Sequence, residues 1–210
     1  MSAVELSSRL REAIMSGDLV PNQRLVEFDI AEEHGSSRGN VRIALSELTV
    51  EGLVEKVQNR GARVRAVSLE EAIEITEVRG AIEALCARRA AERIQEDQKQ
   101  RLREIGARMT TAVEEGDRET YSECNRDLHS TVIEISGQQI AAQTIKRLRG
   151  QAVRFQYRLA QKPGRPAESL PQHLALIEGV CAQDPDAAAS AMQAHISSVA
   201  RAIRAIEASK

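Results

Sequence analysis

The chain has 210 residues and a formal net charge of −2, which excludes a uniformly basic protein that coats nucleic acid. Aromatic residues make up 2% of the sequence and tryptophan is absent, so single-stranded nucleic acid would find few stacking platforms. No stretch approaches the roughly 18 apolar residues of a membrane span, and the first residues lack the apolar core of a signal peptide. We therefore expect a soluble cytoplasmic protein whose three scattered cysteines, Cys86, Cys124 and Cys181, are reduced, buried thiols.

The apolar residues in the first third of the chain predict three helices followed by two strands. Helical spacing predicts a first helix over residues 4–15 and a second, short helix from Leu25 that ends at His34-Gly35. A third helix, for which Ser36 and Ser37 are good N-caps, is predicted to turn five apolar side chains inward: Val41, Ala44, Leu45, Leu48 and Val50. Alternating polarity over residues 53–57 and 62–67 predicts strands joined by a turn at 58–61. This layout is that of a winged helix-turn-helix with a small β-hairpin wing.

The rest of the chain has helical periodicity throughout. Ser68 and Glu71 have the spacing of a capping box, which places a domain boundary there and divides the chain into residues 1–67 and 68–210. Helices are predicted near residues 69–94, 97–115, 117–135, 138–161, 168–182 and 185–208. The expected fold class is therefore mainly α, with the winged helix-turn-helix followed by an all-α antiparallel helical bundle.

The start of the third helix has the residues of a DNA-recognition element. Arg38 and Arg42 are four residues apart and share one helix face, and each guanidinium can donate two parallel hydrogen bonds to guanine. Residues 38–65 hold six basic and three acidic groups, which favours an oriented attraction to double-stranded DNA. A winged helix used for protein contacts, with the arginines on a solvated face, is the alternative. The predicted DNA contacts are Arg38, Gly39, Asn40, Arg42, Arg60 and Gly61.

Residues 6–66 resemble the N-terminal domain of GntR-type transcriptional regulators. Residues 14–21 (IMSGDLVP) resemble the family's I-x-S-G-x-L-x-P, and residues 37–45 (SRGNVRIAL) resemble its S-R-T-P-V-R-E-A-L. Glu51-Gly52-Leu53-Val54 and Asn59-Arg60-Gly61 complete the pattern. The chain departs from it at Gly39, Asn40 and Ile43, and at Phe28, where the family often has a polar or basic residue. The resemblance implies DNA binding, while these departures affect the operator sequence.

Three histidines of the second part fall on three different predicted helices: His129, His173 and His195. Three imidazoles from separate helices of one bundle can converge, and such a site leaves coordination positions open. Asn125 lies four residues before His129 and so shares its helix face. Spacing leaves open whether these are metal ligands or unrelated polar residues. The fourth histidine, His34, ends a short helix and is predicted to be a surface or capping residue.

Residues 69–208 resemble the FCD ligand-binding domain of the FadR subfamily. The similar segments are residues 77–85 (EVRGAIEAL), 125–129 (NRDLH), 172–177 (QHLALI) and 189–196 (ASAMQAHI). The resemblance implies a divalent metal, such as zinc, nickel or manganese, bound by Asn125, His129, His173 and His195. Many members have aspartate where this chain has Asn125, so we expect a weaker or more exchangeable metal. Asp127 points elsewhere on the helix and is a poor substitute.

The same resemblance implies a small organic acid as effector, with carboxylate oxygens filling open metal positions. Arg79 matches a family position that faces the cavity, and a guanidinium suits bidentate carboxylate binding. The alternative for Arg79 is a salt bridge within its helix, for example to Glu83. Arg149 is the second candidate for ligand binding, because it lies beside the apolar stripe of its helix.

These patterns predict a transcriptional regulator that binds operator DNA as a homodimer and responds to a small carboxylate metabolite. A metal-sensing regulator, in which the ion itself is the signal, is one alternative. A metal-dependent hydrolase or lyase carrying a DNA-binding head is another. We expect no enzyme, because Glu168 and Asp127 are near histidines only in sequence and no convincing general base is present.

Overall fold

The computed structural model describes residues 1–57, 61–160 and 162–208, with the backbone alone at 153, 154, 156 and 206–208. Residues 58–60 of the predicted turn at 58–61, which include Arg60, lie outside the described residues. The described chain forms two compact units. The first unit comprises Met1–Ile75 and Lys146–Tyr157, and the second comprises Thr76–Ile145 and Arg158–Lys210. The sequence-based boundary between residues 67 and 68 stays a prediction.

Residues 1–64 of the first unit form three short helices and a small antiparallel sheet. The elements in this segment are α1 (Ala3–Ser16), β1 (Arg24–Leu25), α2 (Glu27–Glu33), α3 (Arg38–Val50), β2 (Val54–Val57) and β3 (Gly61–Val64). The strand order is β1-β3-β2, and Ala62 of β3 lies opposite both Leu25 of β1 and Lys56 of β2. Serines begin two of the helices: Ser2 forms a capping box with Glu5 at α1, and the Ser37 hydroxyl accepts from the Asn40 amide at α3.

Two predictions for the first unit are wrong. Leu25 belongs to β1 rather than to the second helix, because its buried side chain and its pairing with Ala62 extend the wing into a three-stranded sheet. Val50 is 73% exposed rather than inward-facing. A helix turns about 100° per residue, so the position two residues beyond buried Leu48 points away from the core.

The second unit is helical throughout its described residues. Counting the whole chain after β3, the helices are α4 (Leu69–Arg93), α5 (Glu96–Glu115), α6 (Arg118–Ser136), α7 (Gln139–Gln151), α8 (Val153–Ala160), α9 (Arg165–Cys181) and α10 (Pro185–Ala208). α9 packs against α10 and α5, and α5 packs against α6. The core between them is aliphatic and includes Leu102, Met109, Leu128, Leu176 and Met192, all fully buried.

The helix predicted over residues 138–161 is wrong, because two helices, α7 and α8, meet at Ala152. The interruption follows Gly150, where a β-carbon would lie 2.1 Å from the Glu51 carbonyl oxygen, a close approach within the first unit. This close backbone approach leaves no trace in the apolar periodicity, so the sequence predicts one continuous helix. α9 also begins at Arg165 rather than 168, since Pro166 suits the first turn of a helix.

The three cysteines are free and buried, as predicted. Burial raises the pKa of each thiol above its ordinary value, so the protonated form predominates at neutral pH. Among the described residues, no helix combines the length and the apolar character needed to cross a membrane.

Candidate functional site

The second unit brings together the three histidines that the sequence singles out. His129 on α6, His173 on α9 and His195 on α10 are all buried, and we refer to them as the three-histidine cluster. One ring nitrogen from each lies within 4.8 Å of the corresponding nitrogens of the other two. The Nε2 atoms of His173 and His195 are 3.3 Å apart. Three helices, two of them far from α6 in the sequence, therefore bring one imidazole each to the same place in the second unit.

Each imidazole of the cluster is oriented through its other ring nitrogen, Nδ1. The partners are the Glu83 carboxylate for His129 at 2.8 Å, the Tyr121 hydroxyl for His173 at 2.9 Å, and the Gln172 amide oxygen for His195 at 3.1 Å. All three partner atoms are oxygens that can accept a hydrogen bond. An Nδ1–H that donates to such an oxygen leaves the Nε2 lone pair free for a metal, as is common around metal-ligating histidines.

The geometry of the cluster fits a transition metal. Two imidazole nitrogens, each about 2.0–2.1 Å from a tetrahedral zinc ion, are roughly 3.3 Å apart. The observed separation between the Nε2 atoms of His173 and His195 has this value. With both Nδ1 atoms protonated, the two Nε2 lone pairs face each other, and a cation between them would relieve that repulsion. A donor set of imidazole nitrogens suits zinc, nickel or a similar divalent ion.

Asn125 provides a separate observation in favour of a metal. Its side-chain oxygen is buried and has no hydrogen-bond partner among the described residues. An unpaired buried carbonyl oxygen is unfavourable unless a ligand satisfies it. Asn125 lies one turn before His129 on α6, so the two side chains share a helix face. The three histidines could therefore hold a metal ion, and the participation of Asn125 as a fourth ligand stays a prediction.

The protonation of the cluster follows from its burial. Burial, followed by the charges of His129 and Arg165, holds the pKa of His173 well below 6.5. Burial and the two neighbouring imidazoles likewise hold the pKa of His195 well below 6.5. Burial also raises the pKa of Tyr121 to about 12, so its hydroxyl stays protonated beside His173. At neutral pH both imidazoles are neutral, which is the form that ligates metals.

Glu83 is the most informative residue that the sequence-based site does not include. It is fully buried on α4, and its carboxylate contacts both the Arg79 Nε, at 3.1 Å, and the His129 Nδ1, at 2.8 Å. The Arg79 charge therefore compensates a buried carboxylate that orients a cluster histidine. The four-residue spacing of Arg79 and Glu83 indicates this ion pair, whereas the contact to His129 joins residues 46 positions apart.

The two arginines predicted to bind a ligand are in different parts of the chain. Arg79 is buried and belongs to the second unit, with the three-histidine cluster. Arg149 lies on α7 and belongs to the first unit. A direct role of either residue in ligand binding stays a prediction.

The predicted DNA-recognition residues lie at the start of α3 in the first unit. Arg38 and Arg42 are each 62% exposed, and both approach the same Glu27 oxygen on α2, at 3.6 Å and 2.8 Å. Glu27 therefore holds the two guanidinium groups next to each other on one surface. Exposed ion pairs of this kind contribute little to stability, so they can exchange for contacts to DNA.

The other predicted DNA-contact residues that the structure describes differ in the space around them and in their hydrogen bonds within the unit. Gly39 lies on α3 and leaves room for a DNA backbone to approach the helix, since a β-carbon there would meet no protein atom nearer than 3.7 Å. The side-chain Nδ2 of Asn40 donates to the Met1 carbonyl at 3.0 Å, so part of the hydrogen-bonding capacity of this side chain is used inside the unit. Gly61 begins β3 with φ of +84°, a backbone conformation that favours glycine.

Comparisons with known proteins give consistent matches. Residues 3–64 match the sequence family described as bacterial regulatory proteins, gntR family, and residues 74–198 match the FCD domain. The HTH-type transcriptional repressor RspR of Escherichia coli (strain K12) is 28% identical over 197 residues, covering 94% of this chain and 86% of that protein. A probable D-xylose utilization operon transcriptional repressor of Paenarthrobacter nicotinovorans is 25% identical over 205 residues, covering 93% and 88%. The solved structure of E. coli McbR/YncC shares the fold, with a TM-score of 0.74 and 23% identity over 94% of this chain and 96% of that chain.

Proposed function

The chain belongs to the gntR family of bacterial regulatory proteins and carries an FCD domain, and we propose that it is a regulator whose operator affinity is set by a small organic acid bound at a metal centre. The matched relatives are transcriptional regulators rather than enzymes, and regulators of this family bind operator DNA and are generally dimeric. In this proposal, residues 1–67 bind DNA and residues 68–210 bind the effector and form the homodimer.

The observation that carries the proposal is the three-histidine cluster with its oriented imidazoles, together with the Asn125 oxygen, which has no partner in the described part of the chain. Asn125, His129, His173 and His195 would hold a divalent metal, such as zinc, nickel or manganese. When bound, the metal supplies a Lewis acid with open positions for carboxylate oxygens. Glu83, Tyr121 and Gln172 orient the three imidazoles. Arg79 compensates the Glu83 charge and is the predicted partner for the effector's carboxylate.

Coupling between effector and DNA follows from linkage. A symmetric dimer presents two α3 helices to two half-sites of an operator. An effector changes DNA affinity only if it binds the DNA-bound and free forms with different affinities. By reciprocity, the operator changes effector affinity by the same factor as the effector changes operator affinity.

A calorimetric cycle tests the proposed function. An operator duplex is first selected from a randomised library with the full-length protein, and a panel of organic acids is then titrated into metal-loaded protein with and without this duplex. We expect at least one acid to bind, with an affinity that changes about 5- to 150-fold when the operator is present. Metal titration that changes operator affinity with no response to any acid would instead indicate a metal-sensing regulator. Identical acid affinity with and without DNA would refute the proposed coupling.

Asn125→Asp is expected to tighten metal binding, because a carboxylate adds a negative charge at a position that now offers a neutral amide oxygen. The expected gain is about tenfold in affinity. Chelator competition against wild type measures it, with Asp127→Asn as the control for a nearby acidic residue that is exposed on the same helix. An unchanged or weaker affinity for Asn125→Asp, with the fold intact, would remove residue 125 from the proposed ligand set.

A further inference from the structure

Arg165, at the start of α9, is a buried cation that the proposed metal centre does not use. Its side chain is only 6% exposed. One guanidinium nitrogen, Nη1, donates to the Ser198 hydroxyl at 3.0 Å, whereas Nη2 is buried without a hydrogen-bond partner among the described residues. We propose that Arg165 is a second anion-binding residue of the effector site, in addition to the predicted Arg79, and that the effector is a short dicarboxylate, bound at the metal centre at one end and by Arg165 at the other. This inference rests on the proposed function.

The helix geometry places Arg165 next to the three-histidine cluster. Arg165, Ser169 and His173 are spaced four residues apart, so all three lie on one buried face of α9. On α10, the Ser198 hydroxyl that anchors Arg165 follows His195 by three residues, about one helical turn. Arg165 itself lies eight residues, about two turns, before His173 on α9, but Ser198 holds its guanidinium at a level of α10 that is about one turn, roughly 5 Å, from that of His195.

The Arg165 charge is unfavourable where it lies. Burial is the largest cause of the lowered pKa of Arg165, and the hydrogen bond and the charge of Glu168 act in the opposite direction and raise it. The charge of Arg201 is a smaller cause that lowers it. An additional anion beside the guanidinium would therefore stabilise its charged form.

Protein groups compensate the Arg165 charge only in part. Glu168 approaches Nη1 at 3.4 Å, but its side chain is 52% exposed and the pair is therefore screened by water. Ser198 offers only a neutral hydroxyl. Arg79, in contrast, already faces the fully buried Glu83 carboxylate. A ligand carboxylate can accept from the buried Nη2 of Arg165 in a charge-assisted hydrogen bond.

The separation of the two anion-binding groups suggests the ligand class. A carboxylate on the metal leaves the second acidic group of the same molecule about one helical turn away, which suits an acid of three to five carbons with a carboxylate at each end. A monocarboxylate of the same length would leave Arg165 without an anion. Discrimination between the two acids therefore reports on Arg165 directly.

Matched acids test the proposal by calorimetry with metal-loaded, full-length protein. Malonate, succinate and glutarate are compared with propionate, butyrate and valerate. We expect at least one dicarboxylate to bind tenfold or more tightly than its monocarboxylate partner, and Arg165→Gln to remove this difference by weakening the dicarboxylate alone. Arg201→Gln, on an exposed arginine, is the control for long-range charge and should leave the difference within about twofold. Equal dicarboxylate affinity for wild type and Arg165→Gln would overturn the assignment.

Two further measurements distinguish ligand binding by Arg165 from a purely structural role, and failure of this inference from failure of the proposed function. If Arg165 only anchors α9 to α10, Arg165→Met should lower the ligand-free Tm and leave the dicarboxylate preference in place, which would overturn the inference. We expect instead a nearly unchanged ligand-free Tm and loss of the Tm increase that the dicarboxylate produces. Binding of another acid class, with no dicarboxylate bound, would overturn the ligand class. Failure of every acid in the panel to bind would refute the proposed function itself.

Discussion

His173→Ala is expected to abolish stoichiometric metal binding, with a loss of more than about 100-fold in affinity for divalent ions. The side chain is 1% exposed, and its Nε2 lies 3.3 Å from that of His195. Removing it leaves two imidazoles and the Asn125 oxygen, too few strong donors to hold a transition metal tightly. The loss should exceed that for Glu83→Gln, which keeps all ligands and only weakens the orientation of His129.

Elemental analysis and chelator competition measure the His173 effect. His34→Ala in the first unit is the matched control and should retain the metal content of wild type. Because alanine at residue 173 also leaves a cavity, His173→Gln is compared with wild type in the presence of a chelator, where equal Tm values would show that the fold is intact. Full metal content in both His173 variants would exclude this histidine as a ligand.

Arg42→Ala is expected to weaken operator binding by about 1–3 kcal/mol, the contribution of a bidentate arginine–guanine contact. Arg38→Ala should have a similar effect, because the two guanidinium groups share one surface and are equally exposed. Glu27→Gln should act in the opposite direction and tighten binding, since DNA no longer competes with a carboxylate for either arginine. The increase should stay within about 1 kcal/mol, as exposed ion pairs are weak.

Fluorescence anisotropy with the selected operator, at several salt concentrations, measures these three variants. A guanine contact lowers affinity for the selected sequence more than for random duplex, whereas a phosphate contact lowers both and reduces the salt dependence by about one ion. Arg9→Ala, an exposed arginine on α1, is the control for net charge. Wild-type affinity in both Arg38→Ala and Arg42→Ala would exclude the start of α3 as the recognition element.

Local physics explains the features that are predictable from the sequence alone. Helical apolar spacing, serine caps and strand alternation depend on neighbours within about five residues, so the order of helices and strands, apart from β1 and the break between α7 and α8, follows directly from the chain. The shared helix faces of Arg38 with Arg42 and of Asn125 with His129 follow for the same reason. The ion pair between Arg79 and Glu83 is likewise predictable, because residues four apart are neighbours on a helix surface.

Contacts between distant segments explain the features that the sequence does not indicate. Leu25 joins a strand because Ala62 lies opposite it, and the predicted fourth helix of the bundle ends early after Gly150 approaches the Glu51 backbone. The same holds at the candidate sites, where Glu27 holds two arginines of another helix and Arg165 is buried against Ser198 of α10. Periodicity shows which face of a helix is buried, but not which side chain of another helix it meets. Whether a buried charge is compensated, or a buried polar atom finds a hydrogen-bond partner, depends on which side chains of other helices lie against it. These features are therefore decided only when the helices pack.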